Sequence, residues 1–327
     1  MRWDGLAGNL SAKKTLSGFV DAGRLPHALL IEGPPGSGRR CFAGRMAQAA
    51  VCLASQDKPC GVCAGCHKAL ADTHPDIMRT GGKGGARSFH VDAIRAIRET
   101  AYILPNEAPR RVILMEQAEN MTETAQNALL KILEEPPGHV LFILTCENRS
   151  QMLPTIQSRA VCVALGAVEE DEGWPVIRER LPEVAEEEAR QALRLFGGLI
   201  GRALEGLQEG RLTQVVEQTA ALAERIVQPE ELPLLQWTAG LDKDLWDGVL
   251  RGLQLAARDA LAAGVGAPGR EAPSPRAVDC LSKGFTRQQL MRLIDTIQEL
   301  IRARERYMNP TLFSVVAASR LRQAADR

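Results

Sequence analysis

Aromatic side chains make up only 4% of this 327-residue chain, which argues against a stacking platform for single-stranded nucleic acid. A surplus of either charge is missing too, with 40 Lys and Arg against 40 Asp and Glu. No overall field draws the molecule to a polyanion, so work near DNA would be done in company or through a local patch. No apolar run reaches the about 18 residues that a membrane-spanning helix needs. The opening Met1-Arg-Trp-Asp-Gly-Leu-Ala-Gly8 lacks the apolar centre of a secretory signal. A cytoplasmic protein without a membrane partner is the expectation. A reducing compartment then calls for another use of the eight cysteines than disulfides.

The length allows two or three domains with cores of their own. Strand-like and helix-like segments alternate through the first half, the pattern of an α/β domain with a mainly parallel sheet. Apolar runs at 28–31, 111–116, 140–145 and 161–165 read as buried strands. Ala125, Ala128, Leu129, Ile132 and Leu133 make one helical face, with Thr122 as cap and Pro136-Pro137-Gly138 as stop. From Glu169 to Leu207 the pattern predicts short helices broken by Gly173, Pro175, Pro182 and Gly197-Gly198, and from about 211 onward it is all helical.

The first run leads into Gly33-Pro-Pro-Gly-Ser-Gly-Arg-Arg40. A working phosphate loop reads G-x-x-x-x-G-K-[ST]; its amides cradle phosphates, its lysine reaches them and its hydroxyl holds magnesium. Gly33, Gly36 and Gly38 keep the frame, but Arg39 stands at the lysine and Arg40 at the hydroxyl. Arginine meets a phosphate with a planar fork of different reach, and it cannot ligate magnesium. A phosphate loop is present and its chemistry is lost; ATP becomes a doubtful ligand.

Cys52, Cys60, Cys63 and Cys66 crowd into fifteen residues. Two overlapping C-x-x-C steps and one distant cysteine suit a single tetrahedral zinc ion with no open position, which is a structural site. The turn-rich segment is too short for a core, so the metal would supply its folding energy. Reduced thiols or a redox pair are the competing reading. His67 and His74 stand near as substitute ligands. Cys41, Cys146, Cys162 and Cys280 have no spacing partner and read as small buried hydrophobes.

These features occur in order with Thr73-His-Pro-Asp76, Val91-Asp-Ala-Ile-Arg95, Asn127-Ala-Leu-Leu-Lys-Ile-Leu-Glu-Glu-Pro-Pro137 and Ser158-Arg159. The series resembles the AAA+ clamp-loader subunits of bacterial DNA polymerase III, most closely the delta-prime branch and next the gamma/tau branch. The resemblance implies an α/β AAA+ domain, RecA-like and with an inserted zinc module at 52–66, over residues 1–166. A small helical lid over 167–210 and an all-α collar over 211–327 would follow.

Within that family gamma/tau keeps an intact G-K-[ST], so Arg39 and Arg40 favour delta-prime. The strand that ends Asp-Glu in active relatives ends here in Glu116-Gln117, and glutamine has no basic carboxylate to polarise water. The resemblance therefore implies an accessory subunit of the polymerase complex with no ATPase of its own. Its partners would be gamma/tau and delta subunits, the sliding clamp and, through the complex, primer-template DNA. Arg159 would be an arginine finger for the ATP of a neighbouring subunit, although Ala160 replaces the usual cysteine; a surface or structural arginine is the plainer alternative. Arg202 and Thr145 resemble nucleotide sensors, and His74-Pro75-Asp76 a turn that positions the zinc module. Lys283 to Arg327 holds nine basic residues against four acidic, with Arg302, Arg304 and Arg306 close together, most simply a solvated face. An active AAA+ ATPase and a zinc-dependent DNA-binding protein are the rival functions.

Overall fold

The computed structural model describes residues 1–81, 89, 91–267, 271–305 and 309–326. They divide into two units, Met1–Val168 and Glu169–Arg327. In the first, α1 (Leu10–Asp21) precedes β1 (Ala28–Glu32), α2 (Arg39–Val51) and α3 (Ala64–Leu70). Then come β2 (Ile77–Gly81), α4 (Val91–Ala101), β3 (Arg111–Glu116) and α5 (Glu123–Glu134). β4 (Val140–Cys146), the short α6 (Pro154–Gln157) and β5 (Val161–Ala164) complete it.

The strands form one sheet in the order β2-β3-β4-β1-β5, parallel at every pairing. This is the α/β fold with a parallel sheet that the alternating segments predict. β1 and β4, inner strands in this order, are apolar on both faces because helices cover both. Leu30, Ile113, Phe142 and Leu144 face Ile94 and Ile97 of α4 and Leu129 and Ile132 of α5. Leu29, Ile31, Leu114 and Ile143, one residue out of phase, face Leu16 of α1 and Phe42 and Met46 of α2. The Thr122 hydroxyl accepts from the Ala125 amide at 3.2 Å and caps α5.

β2 is the strand that sequence patterning missed, since its side chains are only half-buried or exposed. Cys41, expected inside, lies exposed on α2, whose buried stripe runs through Phe42, Ala43, Met46 and Ala50 instead.

The second unit is helical throughout its described residues. It comprises α7 (Glu170–Arg180), α8 (Glu186–Leu195), α9 (Ile200–Gln208), α10 (Arg211–Val227) and α11 (Glu231–Gly240). α12 (Trp246–Ala263), α13 (Pro275–Gly284), α14 (Arg287–Glu305) and α15 (Pro310–Ala325) follow. Gly173 and Pro175 sit inside α7 and do not break it, because Ile177 and Trp174 pack that helix onto the core and packing outweighs propensity. One apolar cluster joins Ile177, Leu193 and Ala203 to Leu212, Leu253 and Leu321. Trp246 meets Phe313 edge-on, with ring centroids 5.1 Å apart. Arg306 lies outside the described residues.

Candidate nucleotide loop and metal centre

β1 feeds the loop at 33–38 and α2 leaves it, the placement that aims helix amides at a phosphate. The glycines are needed. Gly36 and Gly38 both sit at φ +86°, where a side chain is strained. A Cβ on Gly33 would come within 2.5 Å of Ser37 Oγ and 2.9 Å of the Leu165 carbonyl oxygen.

The charges around this frame are answered from within. Arg39 is only 8% exposed; its Nη1 donates to the Gly33 carbonyl and its Nη2 to Glu147 Oε1 at 3.4 Å. Arg40 reaches the end of β3, where its Nε lies 2.7 Å from Glu116 Oε2. Arg79 approaches the other carboxylate oxygen at 3.6 Å. Glu116 itself is buried, so its carboxylate is held between the guanidinium groups of Arg40 and Arg79. Beside it, Gln117 adopts φ +55° and its amide donates to Thr145 Oγ1 at 3.2 Å. The Thr145 hydroxyl thus accepts from the backbone at the end of β3.

The other end of α2 opens the cysteine cluster. Cys52 caps the helix C-terminus, Cys63 caps the start of α3, and the Cys63 sulfur accepts from the Cys66 amide at 3.4 Å. The Cys60 amide donates to Cys52 Sγ at 3.4 Å. All four sulfurs lie within 4.8 Å of one another, with Cys60–Cys66 at 3.9 Å and Cys52–Cys63 at 4.0 Å. A tetrahedron of sulfurs about 2.3 Å from zinc has edges of about 3.8 Å. The four cysteines fit a metal such as zinc. Burial opposes ionisation of Cys63, but amides of Leu53 and Cys66 and neighbouring thiols bring it down to about 6. Amides of Val62 and Cys63 likewise lower Cys60, while burial raises Cys66.

His74 is outside this set. Its Nδ1 accepts from the Asp76 amide at 3.0 Å and its Nε2 lies 3.7 Å from Glu107. Burial lowers its basicity. A Cβ on Gly65 would meet the Val51 carbonyl oxygen at 2.6 Å and His74 Nε2 at 3.6 Å, so the imidazole lies close under α3. Fully buried Asp76 accepts from the amides of Asn106, Glu107 and Ala108 at 2.6, 2.9 and 2.9 Å. The His-Pro-Asp turn therefore ties the cysteine module to the segment that enters β3.

Arg159 follows α6 on the surface. Its Nη2 lies 2.8 Å from Glu134 Oε1 at the end of α5, and its Nη1 donates to the Thr155 carbonyl at 3.0 Å. In the second unit Arg202 is engaged as well. Asp247 takes Arg202 Nη1 on one oxygen and Arg304 Nε on the other, each at 2.6 Å. Burial opposes that carboxylate, and Arg304 and Arg202 hold it below the usual range.

Residues 8–169 match the family described as DNA polymerase III, delta subunit. A DNA polymerase III subunit delta' of Pseudomonas aeruginosa is 33% identical over 237 residues, covering 66% of this chain and 71% of that one. The chain belongs to the delta-prime family. The delta' subunit of Haemophilus influenzae is 34% identical over 194 residues, and this chain spans 59% of its length. A gamma/tau subunit of Mycobacterium tuberculosis is 38% identical, but over 145 residues that make up 25% of its length. Among the described residues no helix is long and apolar enough to cross a membrane.

Sequence reasoning named Gly33, Gly36, Gly38, Arg39 and Arg159 but not their counterparts. Glu147, just after β4, and Glu134, at the end of α5, lie far along the chain from Arg39 and Arg159 and leave no spacing signal, nor does Asp247, the partner of Arg202. One local signal existed for Glu134: an acid at the last position of a helix opposes the dipole. Gln126 was also missed. It is 5% exposed, accepts from the Leu153 amide at 2.8 Å and donates to the Met121 and Gln151 carbonyls at 3.4 and 3.5 Å.

Proposed function

We propose that this chain is a clamp-loader subunit that does not hydrolyse ATP and completes the ATP site of a neighbour. It joins gamma/tau and delta subunits in the cytoplasm, and the assembly places the sliding clamp on primed DNA. The Arg40–Glu116 ion pair at 2.7 Å carries the reading. A magnesium site at this loop needs a hydroxyl from α2 and a free acid from β3. Here one position is a cation and the other is its partner. Gln117 supplies no base, and Arg39 is turned into its own loop. Arg159, by contrast, sits at the surface with its side chain 34% exposed, where a neighbour's phosphate could meet it. Zinc at Cys52, Cys60, Cys63 and Cys66 supplies structure only, with all four positions filled by sulfur. Residues 167–210 act as the lid and 211–327 as the collar.

The reading is tested by steady-state ATP turnover of the reconstituted loader with clamp and primed DNA. Arg159→Ala lowers turnover roughly tenfold or more while the complex still assembles, since a finger is worth about 10³–10⁵ at the site it serves. Unchanged turnover reduces Arg159 to a surface residue. ATP turnover by the pure chain that Gly38→Val abolishes would instead establish the rival reading, an active ATPase.

A further inference from the structure

The last residue of α5 is a poor place for an acid. Carbonyl groups crowd there without partners, and a negative side chain adds to their charge. Glu134 stands there nonetheless, followed by Glu135 and by two prolines that end the helix. Its Oε1 lies 2.8 Å from Arg159 Nη2. The helix under it does not yield, because Leu129, Ile132 and Leu133 are at most 1% exposed against the sheet. The chain that carries Arg159 is pinned as well. Gln126 of the same helix accepts from the Leu153 amide at 2.8 Å, just ahead of α6, and Ile156 of α6 is fully buried. One rigid helix thus fixes both the backbone leading to Arg159 and the tip of its side chain.

We infer that Glu134 is a positioning residue that holds the Arg159 guanidinium in the pose from which it meets a phosphate on the neighbouring subunit. The inference rests on the finger reading above. Arginine has a long side chain whose freedom must be lost before it serves a transition state. Glu134 on Nη2 and the Thr155 carbonyl on Nη1 remove that freedom in advance. A guanidinium has five N–H donors in one plane, so these contacts leave donors for a phosphoryl group. Positioning of this kind acts on the chemical step and not on the affinity for nucleotide, which binds elsewhere.

The test uses the reconstituted loader with clamp and primed DNA, with kcat and KM for ATP measured separately. Glu134→Ala lowers kcat roughly five- to tenfold and leaves KM within about twofold. Glu134→Gln, which keeps an oxygen acceptor for Nη2, recovers most of the loss. In an Arg159→Ala background Glu134→Ala has no further effect. The isolated Glu134→Ala chain melts like the native one, because a half-exposed ion pair contributes little to folding. Unchanged or faster turnover with Glu134→Ala overturns the inference, as does an equal loss in the Arg159→Ala background. Full turnover with Arg159→Ala alone removes the finger reading, and this inference falls with it.

Discussion

The two ends of α2 face opposite ways in chemical terms. At its start the chain answers its own charges: Arg39 lies against the Gly33 carbonyl and Glu147, and Arg40 lies against Glu116. At its end, after 13 residues, four sulfurs converge and the nearest donors are amides. Amides favour the thiolates of Cys60 and Cys63 without neutralising them, so these two sulfurs offer the negative charge that a cation wants. The loop has the frame of an ion site and has lost the deficit of charge. The cysteine cluster keeps both. On the reading proposed above, a binding site is closed by supplying the counter-charge from within, even when its backbone is intact.

The comparison breaks most visibly at the cysteines. Native chain carries about one zinc ion; Cys63→Ser with Cys66→Ser carries none, and its melting point falls by more than about 10 °C, since structural zinc supplies folding energy of order 10 kcal/mol. Metal analysis and calorimetry check this, and stoichiometric metal in the double variant refutes the assignment.

The next effect separates the metal from the brace beside it. Asp76→Asn destabilises by about 2 kcal/mol in urea melts, because three amides lose a charged acceptor, while zinc content stays the same. Burial opposes the Asp76 carboxylate, yet the three amides lower it below the ordinary value of 3.8. A carboxylate depressed in the fold contributes stability that is whole above its unfolded value and lost as pH falls through the folded one. The native chain therefore loses stability below about pH 4, and Asp76→Asn flattens that part of the profile. An equal acid slope in both chains excludes Asp76 as its source.

At the loop the effects are smaller. Arg40→Ala costs about 1 kcal/mol, discounted because the arginine side chain is 51% exposed. Magnesium and ATP together shift neither melting point. A clear shift in the native chain would mean that the internal pair yields to nucleotide. Smallest is Ser37→Ala, where a gain of about 0.5 kcal/mol is expected. The Ser37 hydroxyl is buried with no hydrogen-bond partner, and its removal relieves that penalty. A loss in the same urea melts would point to a partner bound at the loop.

The inner strands were legible because a strand covered on both faces must be apolar at nearly every position, as at 140–144. β2 was not, since Arg79 and its half-buried neighbours make no such run. The cysteine cluster was legible because its ligands are neighbours in sequence. The loop was legible as a damaged motif, but not as a closed one: Arg40 and Glu116 stand 76 positions apart and meet only because β1 and β3 both flank β4. Arg159 and Glu134, 25 positions apart, likewise meet only because the fold brings them together across β4 and α6. Pro175 misled for the converse reason, as a local rule against helix was overruled by the core beneath α7.

Asp247 gives the second unit an uneven tolerance to damage. Two arginines from α9 and α14 converge on this one carboxylate. Losing either arginine leaves the acid with a counter-ion, and the joint survives on its other arm. Losing the acid leaves two cations drawn to the same place with no anion between them, and an attraction becomes a repulsion. The spokes are replaceable and the hub is not.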